Sequence, residues 1–394
     1  PRTGPYNIHS YIKGKNVVFS RNKNWWAKDK KFYKGRYNVD KVYFNIIRDN
    51  EIAFEHFKKG RLDVFGLVLP IYWHSKAKYL EQVDKGYMTK VWYYNDVQQP
   101  SQRMTFNMDK KPFDNRDLRI GLSHAMNLQE MIDTVLRGDY SLARTHCDGY
   151  GKFSHPTLKA RSFNPEKAIE YFNKAGYTEV GIDGIRETKD GQRLSFKVLY
   201  ASATHTERLL VIQSEARKLG LELKLDQFDQ TAVFKAMLDK KHDIAWHGWG
   251  AMARPSYWGT FHKENAHKKK NNNFANLDDD VISQLIDDYR SALNEKTKIA
   301  LAHKIEERLY ELAPDLPTYK VPYFRVALWR WVKFPEWVAT KKSESTVDGF
   351  GLFWIDEDVR KETLKAMKEG KIFYNTPKLI KVTRENGKTT KTIQ

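Results

Sequence analysis

What the chain has little of narrows its function first. One residue of 394 is a cysteine, Cys147, so no internal disulfide can form and no cysteine-based metal cluster exists. A catalytic thiol would want a partnered base, and although His146 is adjacent, neighbours in sequence point in different directions. Long apolar runs are missing too: no stretch approaches the ~20 residues a membrane helix needs. The opening Pro1-Arg2-Thr3-Gly4-Pro5-Tyr6 has neither an initiating methionine nor the apolar segment of a secretory signal, so the expectation is that maturation or truncation has removed something. Walker, post-strand Gly-x-Gly-x-x-Gly, His-Glu-x-x-His and Gly-x-Ser-x-Gly patterns are all absent. His262 and His267, five apart in a polar loop, are thin support for a metal, and nothing selects two of the many carboxylates as an acid/base pair. An enzyme, such as a peptide or glycan hydrolase, is therefore the weaker expectation, and no cofactor is implied.

Charge, by contrast, is abundant and one-sided: 68 Lys and Arg against 49 Asp and Glu, or +19. That balance would suit a nucleic-acid binder. Yet the bases alternate with acids, as where Asp278-Asp279-Asp280 follows His267-Lys268-Lys269-Lys270, and they cluster only there and from Lys371 onward. The reading is a solvated basic surface suited to anionic membranes or acidic ligands, with no nucleic-acid partner.

The chain turns on Asp243-Ile244-Ala245-Trp246-His247-Gly248-Trp249-Gly250-Ala251. This apolar run lies between Lys240-Lys241-His242 and Arg254-Pro255-Ser256 and reads as a buried strand ending at a loop. Ligands of open α/β sheets sit outside the carboxyl ends of strands, which makes Trp246 and Trp249 candidate pocket walls with His247 between them; the competing reading is that both fill a core.

Around this run the pattern is α/β. Val42 to Ile47, a helix on Ile52, Ala53, His56 and Phe57 closed by Gly60, and Leu62 to Phe65 predict a β-α-β unit. Aromatic residues cluster at Leu69 to His74 and Val91 to Asn95, and Trp73, His74 and Tyr94, leaving strands there, are candidates to face the same cleft as Trp249. From Pro112 the pattern is helical, with Asn127 and Glu130 as a capping box and Asn164-Pro165-Glu166 as another helix start. Leu194 to Trp249 alternates strand and helix, predicting a partly parallel sheet. Two amphipathic helices follow, on Val281, Ile282, Leu285, Ile286 and Tyr289, then on Ile299, Ala302, Ile305 and Leu309. Ser343 to Asp348 reads as a linker.

Four separated blocks together resemble the peptide-binding, family 5 extracytoplasmic solute-binding proteins of ABC importers. They are Thr3-Gly4-Pro5-Tyr6 with Arg21-Asn22 and Trp25-Trp26; Phe106-Asn107 with Pro112-Phe113-Asp114-Asn115-Arg116-Asp117-Leu118-Arg119 and Ala125-Met126-Asn127; Asn164 to Tyr177; and Asp243 to Gly250. Leu69 to His74 and the Arg330-bearing strand look most like the subgroup around the microcin C importer's binding protein. The resemblance implies two α/β lobes joined by two crossing strands and closing on a ligand. Residues 1–105 would belong to the first lobe, 106–335 to the second, and 336–394 to a linker and a return to the first with a basic tail. Family members begin well before the Thr-Gly-Pro-Tyr block, so it also implies that the N-terminal part of the first lobe is missing or is a separate chain. The implied partners are a peptide or modified peptide and the permease subunits of an ABC transporter, in the periplasm or on the extracytoplasmic face of the membrane. Peptide binders of the family place an Asp just after the Gly-Trp turn; here no acid stands between Gly250 and Pro255, and Arg254 would instead favour a carboxylate or phosphate.

Overall fold

The computed structural model describes residues 3–93, 101–250, 252, 254–335, 351–385 and 388–394. The chain divides into two compact units, Pro1–Val97 with Pro322–Gln394, and Gln98–Val321.

The first unit is built on a five-stranded sheet in the order Lys388–Ile393, Leu379–Glu385, Met88–Tyr93, Phe324–Trp329, Val64–Gly66. Only the contact between Leu379–Glu385 and Met88–Tyr93 is parallel. Trp329 and Trp331 are fully buried against it and stacked, with centroids 4.4 Å apart. Burying an indole needs a partner for its N–H. Trp329 Nε1 donates to the Phe57 carbonyl at 3.0 Å and Trp331 Nε1 to Asp63 Oδ1 at 2.7 Å. The helix Asn50–Lys58 starts where the Asp49 carboxylate accepts from the Glu51 and Ile52 N–H groups, and Gly60, at φ +71°, reverses the chain beyond it. It buries Phe54 and Phe57 and leaves the expected Ile52 exposed.

Two sequence expectations change here. Lys41–Asn45 pairs antiparallel with Asn16–Arg21 in a separate three-stranded sheet that also contains Tyr6–Ile12, whereas Val64–Gly66 joins the five-stranded sheet. The strand, helix, strand succession is present but is not a β-α-β unit, because local periodicity does not say which sheet a strand joins. The basic stretch from Lys371 onward follows the helix Glu357–Glu369 and carries a hairpin whose outer strand is Lys388–Ile393. Lys and Thr there suit an edge strand, where charge discourages further pairing.

Gly86 shows how tightly the tail is docked. It sits at φ +74°, and a Cβ there would lie 2.1 Å from the Phe373 carbonyl oxygen. Gly86→Ala is expected to cost about 2–4 kcal/mol through combined strain and overlap. A denaturant midpoint unchanged from the parent would show that the Phe373 loop can move aside at no cost.

The second unit contains a mixed five-stranded sheet in the order Glu222–Gln227, Ser195–Tyr200, Ile244–Trp249, Ser101–Phe106, Asp315–Pro317. The first three strands run parallel, through the helices Thr206–Arg217 and Gln230–Leu238, as the alternation predicts. The last two add antiparallel, which the alternation does not predict. Side-chain caps start the surrounding helices: Asn115, Asn127, Asn164 before Pro165, Asp229, Asp279 and Asn294 each accept from an N–H in the first turn. The two long helices bury Ile282, Ile286 and Tyr289, then Ala302, Ile305 and Leu309. Because 101–106 pairs within this sheet and 324–329 within that of the first unit, the divisions fall at 97/98 and 321/322 rather than at the expected 105 and 335.

Candidate functional site

Three parallel strands of the second unit end on one side, at Tyr200, Gln227 and Trp249. The segments that leave them carry part-exposed apolar groups: Phe228 and Met252 in loops, 49% and 59% exposed, and Phe234 on the helix Gln230–Leu238, 44% exposed. Strand period decides which residues of Ile244–Trp249 can look toward a ligand there. His247 lies opposite Arg103, Ala245 opposite Thr105 and Trp246 opposite Met104. Opposed residues in an antiparallel pair share a face, and alternate residues of one strand face opposite ways. His247 and Trp249 therefore share the face of Arg103 and Thr105, and Trp246 points the other way.

The structure accordingly separates the two tryptophans. Trp246 is buried; its indole N–H donates to His205 Nδ1 at 3.1 Å and its ring meets Tyr319 at 5.9 Å. Trp249 stacks on Phe274 at 5.4 Å with 13° between planes, and the His247 ring stands edge-on to both, at 5.6 Å and 5.4 Å. The Trp249 indole N–H is sheltered from water and has no hydrogen-bond partner among the described residues. An unmet donor of this kind costs roughly 1–3 kcal/mol until a ligand or water accepts from it.

Sequence reasoning missed Phe274, which asparagines hold in place. Asn273, fully buried, donates to the His262 and Leu277 carbonyls and accepts from the Leu277 N–H. Asn276 donates to Asn107 Oδ1, and Asn107 donates to the Lys240 and His242 carbonyls. The run Asn271-Asn272-Asn273 was the available signal, since consecutive amides beside an aromatic mark a hydrogen-bonded loop. Lys240 Nζ lies 5.5 Å from the Phe274 ring, and desolvation lowers its pKa to about 8.

Behind the wall lies a buried ionic cluster, also missed. Asp315 Oδ1 is 2.8 Å from His146 Nδ1 and Asp315 Oδ2 is 3.3 Å from Arg103 Nη1, while Arg103 Nη2 donates to the His146 carbonyl. Burial raises the Asp315 carboxyl, but His146 and Arg103 outweigh it and hold the group below the usual carboxylate range. His247 Nε2 lies 2.8 Å from Thr105 Oγ1; burial, then the Arg103 charge, pushes its pKa down to about 3, so the imidazole is neutral at pH 7. Nearby, Cys147 is buried, and desolvation followed by the Glu306 charge pushes its thiol well up, leaving no thiolate nucleophile.

These shifts predict a pH dependence. His205, His242 and His247 are lowered to about 4, 3 and 3, each by desolvation first. Unfolded, a histidine takes a proton near pH 6.5 that the folded state refuses until far lower, so stability falls as pH drops below about 6.5 and goes on falling toward pH 4. Urea midpoints between pH 8 and 4.5 should decline across that window; a flat profile would mean these rings are solvated.

The other expected site residues have these surroundings. Arg254 is exposed, 3.8 Å from Glu295, with its guanidinium over the Phe153 ring at 6.0 Å. Trp73 belongs to the first unit and is buried, and with half-buried His74 it lies on the helical turn Tyr72–Lys76 rather than at a strand end. Its ring meets Trp92 edge-on at 5.1 Å, and the fully buried Arg325 guanidinium lies 5.1 Å from Trp73, 5.3 Å from Trp92 and 4.2 Å from Tyr323. Trp73 thus serves a buried cation. Tyr94 lies outside the described residues. A groove of about 680 Å³ is in the first unit beside Thr89, Trp329, Lys333 and Tyr374. It lies beside the Met88 and Trp329 end of the paired strands, and its Arg330 is already held by Glu362. Volume alone does not make it the site; the aromatic wall with an unmet donor is the stronger candidate. Among the described residues no group of three or more His, Cys, Asp or Glu is placed to hold a metal.

Residues 1–268 match bacterial extracellular solute-binding proteins, family 5 Middle. Relatives include the uncharacterized protein YejA of Escherichia coli K12, 23% identical over 93% of this chain and 65% of the relative, and the nickel-binding periplasmic protein of the same organism, 23% identical over 80% and 58%. Among solved structures, the oligopeptide-binding protein AppA of Bacillus subtilis, in complex with a nonapeptide, aligns with a TM-score of 0.74 at 19% identity, covering 90% of this chain and 66% of that one. The periplasmic binding protein DppA of Helicobacter pylori, in complex with the peptide STSA, aligns at 0.73 and 20%, covering 90% and 63%. The chain thus spans less than two thirds of the length of these proteins, and the likenesses establish a mixed α/β periplasmic binding protein fold.

Proposed function

Since the chain belongs to the bacterial extracellular solute-binding proteins of family 5, we propose that it captures a peptide or modified peptide and presents it to the permease of an ABC importer, in the periplasm or on the extracytoplasmic face of a membrane. The observation that carries this is the wall of Trp249, Phe274 and His247 with its unmet indole N–H, at the carboxyl ends of three parallel strands. Flat aromatic groups give apolar area at low entropic cost, and a single sheltered donor fixes orientation. That chemistry favours an organic ligand over a bare cation. A binding role is supported by the state of two nearby groups: burial pushes the Cys147 thiol up, and the Asp315 carboxylate is paired with Arg103 and His146.

No acid stands between Gly250 and Pro255, and a buried ammonium without a countercharge would cost several kcal/mol. The ligand is therefore one whose amino terminus is blocked or stays in water. Among the described residues no helix is long and apolar enough to cross a membrane.

Native mass spectrometry of the protein as purified tests the reading. A peptide-sized mass that leaves on denaturation is expected, and a companion polypeptide supplying the length by which the relatives exceed this chain would appear in the same spectrum. No bound mass, together with no heat on titrating a mixed peptide library, would overturn the proposal.

A further inference from the structure

The segment between the strands Asn16–Arg21 and Lys41–Asn45 combines two features that a solvated loop does not need together. From Asn22 to Tyr37 it carries Lys23, Lys28, Lys30, Lys31, Lys34 and Arg36 against the single acid Asp29. All six cations are exposed, and among the described residues none is ion-paired. Between them two large rings stand out in water: Trp26 is 68% exposed and Phe32 76%.

The loop is anchored rather than loose. Trp25 is buried beneath it, donates its indole N–H to the Thr3 carbonyl at 2.8 Å, and meets the rings of Tyr33 at 5.0 Å and Tyr37 at 5.4 Å. The Trp26 indole N–H shares the Thr3 carbonyl at 3.1 Å. Successive turns, Lys28 N–H to Trp25, Lys30 to Ala27, Tyr33 to Lys30 and Arg36 to Tyr33, fix the backbone between. A held backbone means that docking Trp26 and Phe32 forfeits little backbone entropy.

We propose that this loop is a membrane-contact surface that seats on anionic phospholipid, with Trp26 and Phe32 entering the headgroup boundary and the surrounding lysines neutralising lipid phosphate. Interfacial anchors have this composition, aromatic side chains at the apolar tip and cations at headgroup level. Each cation near an anionic leaflet contributes about fivefold in affinity. Five of the six cations are lysines, whose flexible stems reach headgroups at varied depth; forked readout of a fixed phosphate or base would call for arginine. The surface is independent of the Trp249 wall and requires no statement about the ligand.

The test is sedimentation of the full chain with vesicles of phosphatidylcholine alone and with a phosphatidylglycerol fraction, at low and physiological salt. Binding is expected only to the anionic vesicles and should weaken with salt. The pair Trp26→Ser with Phe32→Ser should weaken it at least tenfold, and the pair Lys30→Glu with Lys31→Glu at least 25-fold, with unchanged circular dichroism because all four side chains are exposed. A readout that separates this surface from the ligand site is peptide affinity, which neither pair should move. Equal binding to both vesicle types, or anionic binding that survives both pairs, would overturn the proposal. So would finding that these substitutions abolish a dimer seen by light scattering or a shift of nucleic acid on a gel, because the loop would then serve that partner instead.

Discussion

Asp315→Ala should remove about 3–5 kcal/mol from the stability of the second unit, because it leaves a charged guanidinium buried without its countercharge. Arg103, His146 and Asp315 are all buried, with the carboxylate 2.8 Å from the imidazole and 3.3 Å from the guanidinium. The cost comes from taking the Asp315 countercharge from a buried guanidinium, not from the net value of the pair, so Arg103→Met combined with Asp315→Leu should recover most of it. Urea titration of both variants is the check; a loss below about 1 kcal/mol for the single change would mean that water reaches Arg103. The pH behaviour has a definite sign. The Asp315 carboxyl is held low, so its contribution is present above the ordinary Asp range and is lost as pH falls through the folded value, below the window in which the histidines act.

Trp249→Ala should weaken peptide binding by about 2 kcal/mol or more, roughly 30-fold, as expected of an aromatic hot-spot residue. The wall would lose a ring stacked on Phe274 and also the sheltered indole donor. Trp246→Ala is the informative contrast. Its ring is buried on the opposite face of the strand, so the expected result is a stability loss of about 3–5 kcal/mol with ligand affinity unchanged in the protein that remains folded. Calorimetric titration of both variants separates a wall residue from a core residue; an unchanged dissociation constant for Trp249→Ala would remove that side chain from the site.

Features fixed by near neighbours were legible before any coordinates. The caps at Asn127 and Asn164, the strand Ile244–Trp249 and the parallel alternation all stand where local pattern puts them. What escaped depends on residues far apart. Arg103 and Asp315 are separated by 212 positions, and no local pattern joins them. The strand Val64–Gly66 looked like the end of a β-α-β unit because its real partner, Phe324–Trp329, lies near the other end of the chain. The terminal hairpin read as a tail because an edge strand is polar by necessity. The two tryptophans were separable in advance: a spacing of three along a strand puts Trp246 and Trp249 on opposite faces. Trp73 shows the reverse limit, since an aromatic-rich stretch does not disclose that a buried arginine occupies its ring face.

The threading of the first unit also sets an order of events during synthesis. The second unit is one continuous segment, complete once residue 321 has left the ribosome, and its sheet can close at once. Met88–Tyr93 must instead wait, its two flanks unfilled, for Phe324–Trp329 and then for Leu379–Glu385 close to the C terminus. Until then a strand whose Met88, Val91 and Tyr93 are destined for burial is open to wrong partners on both sides. A nascent chain stalled a little short of residue 379 would therefore hold a finished second unit beside an unfinished first, and that is the stage at which a chaperone would be most needed.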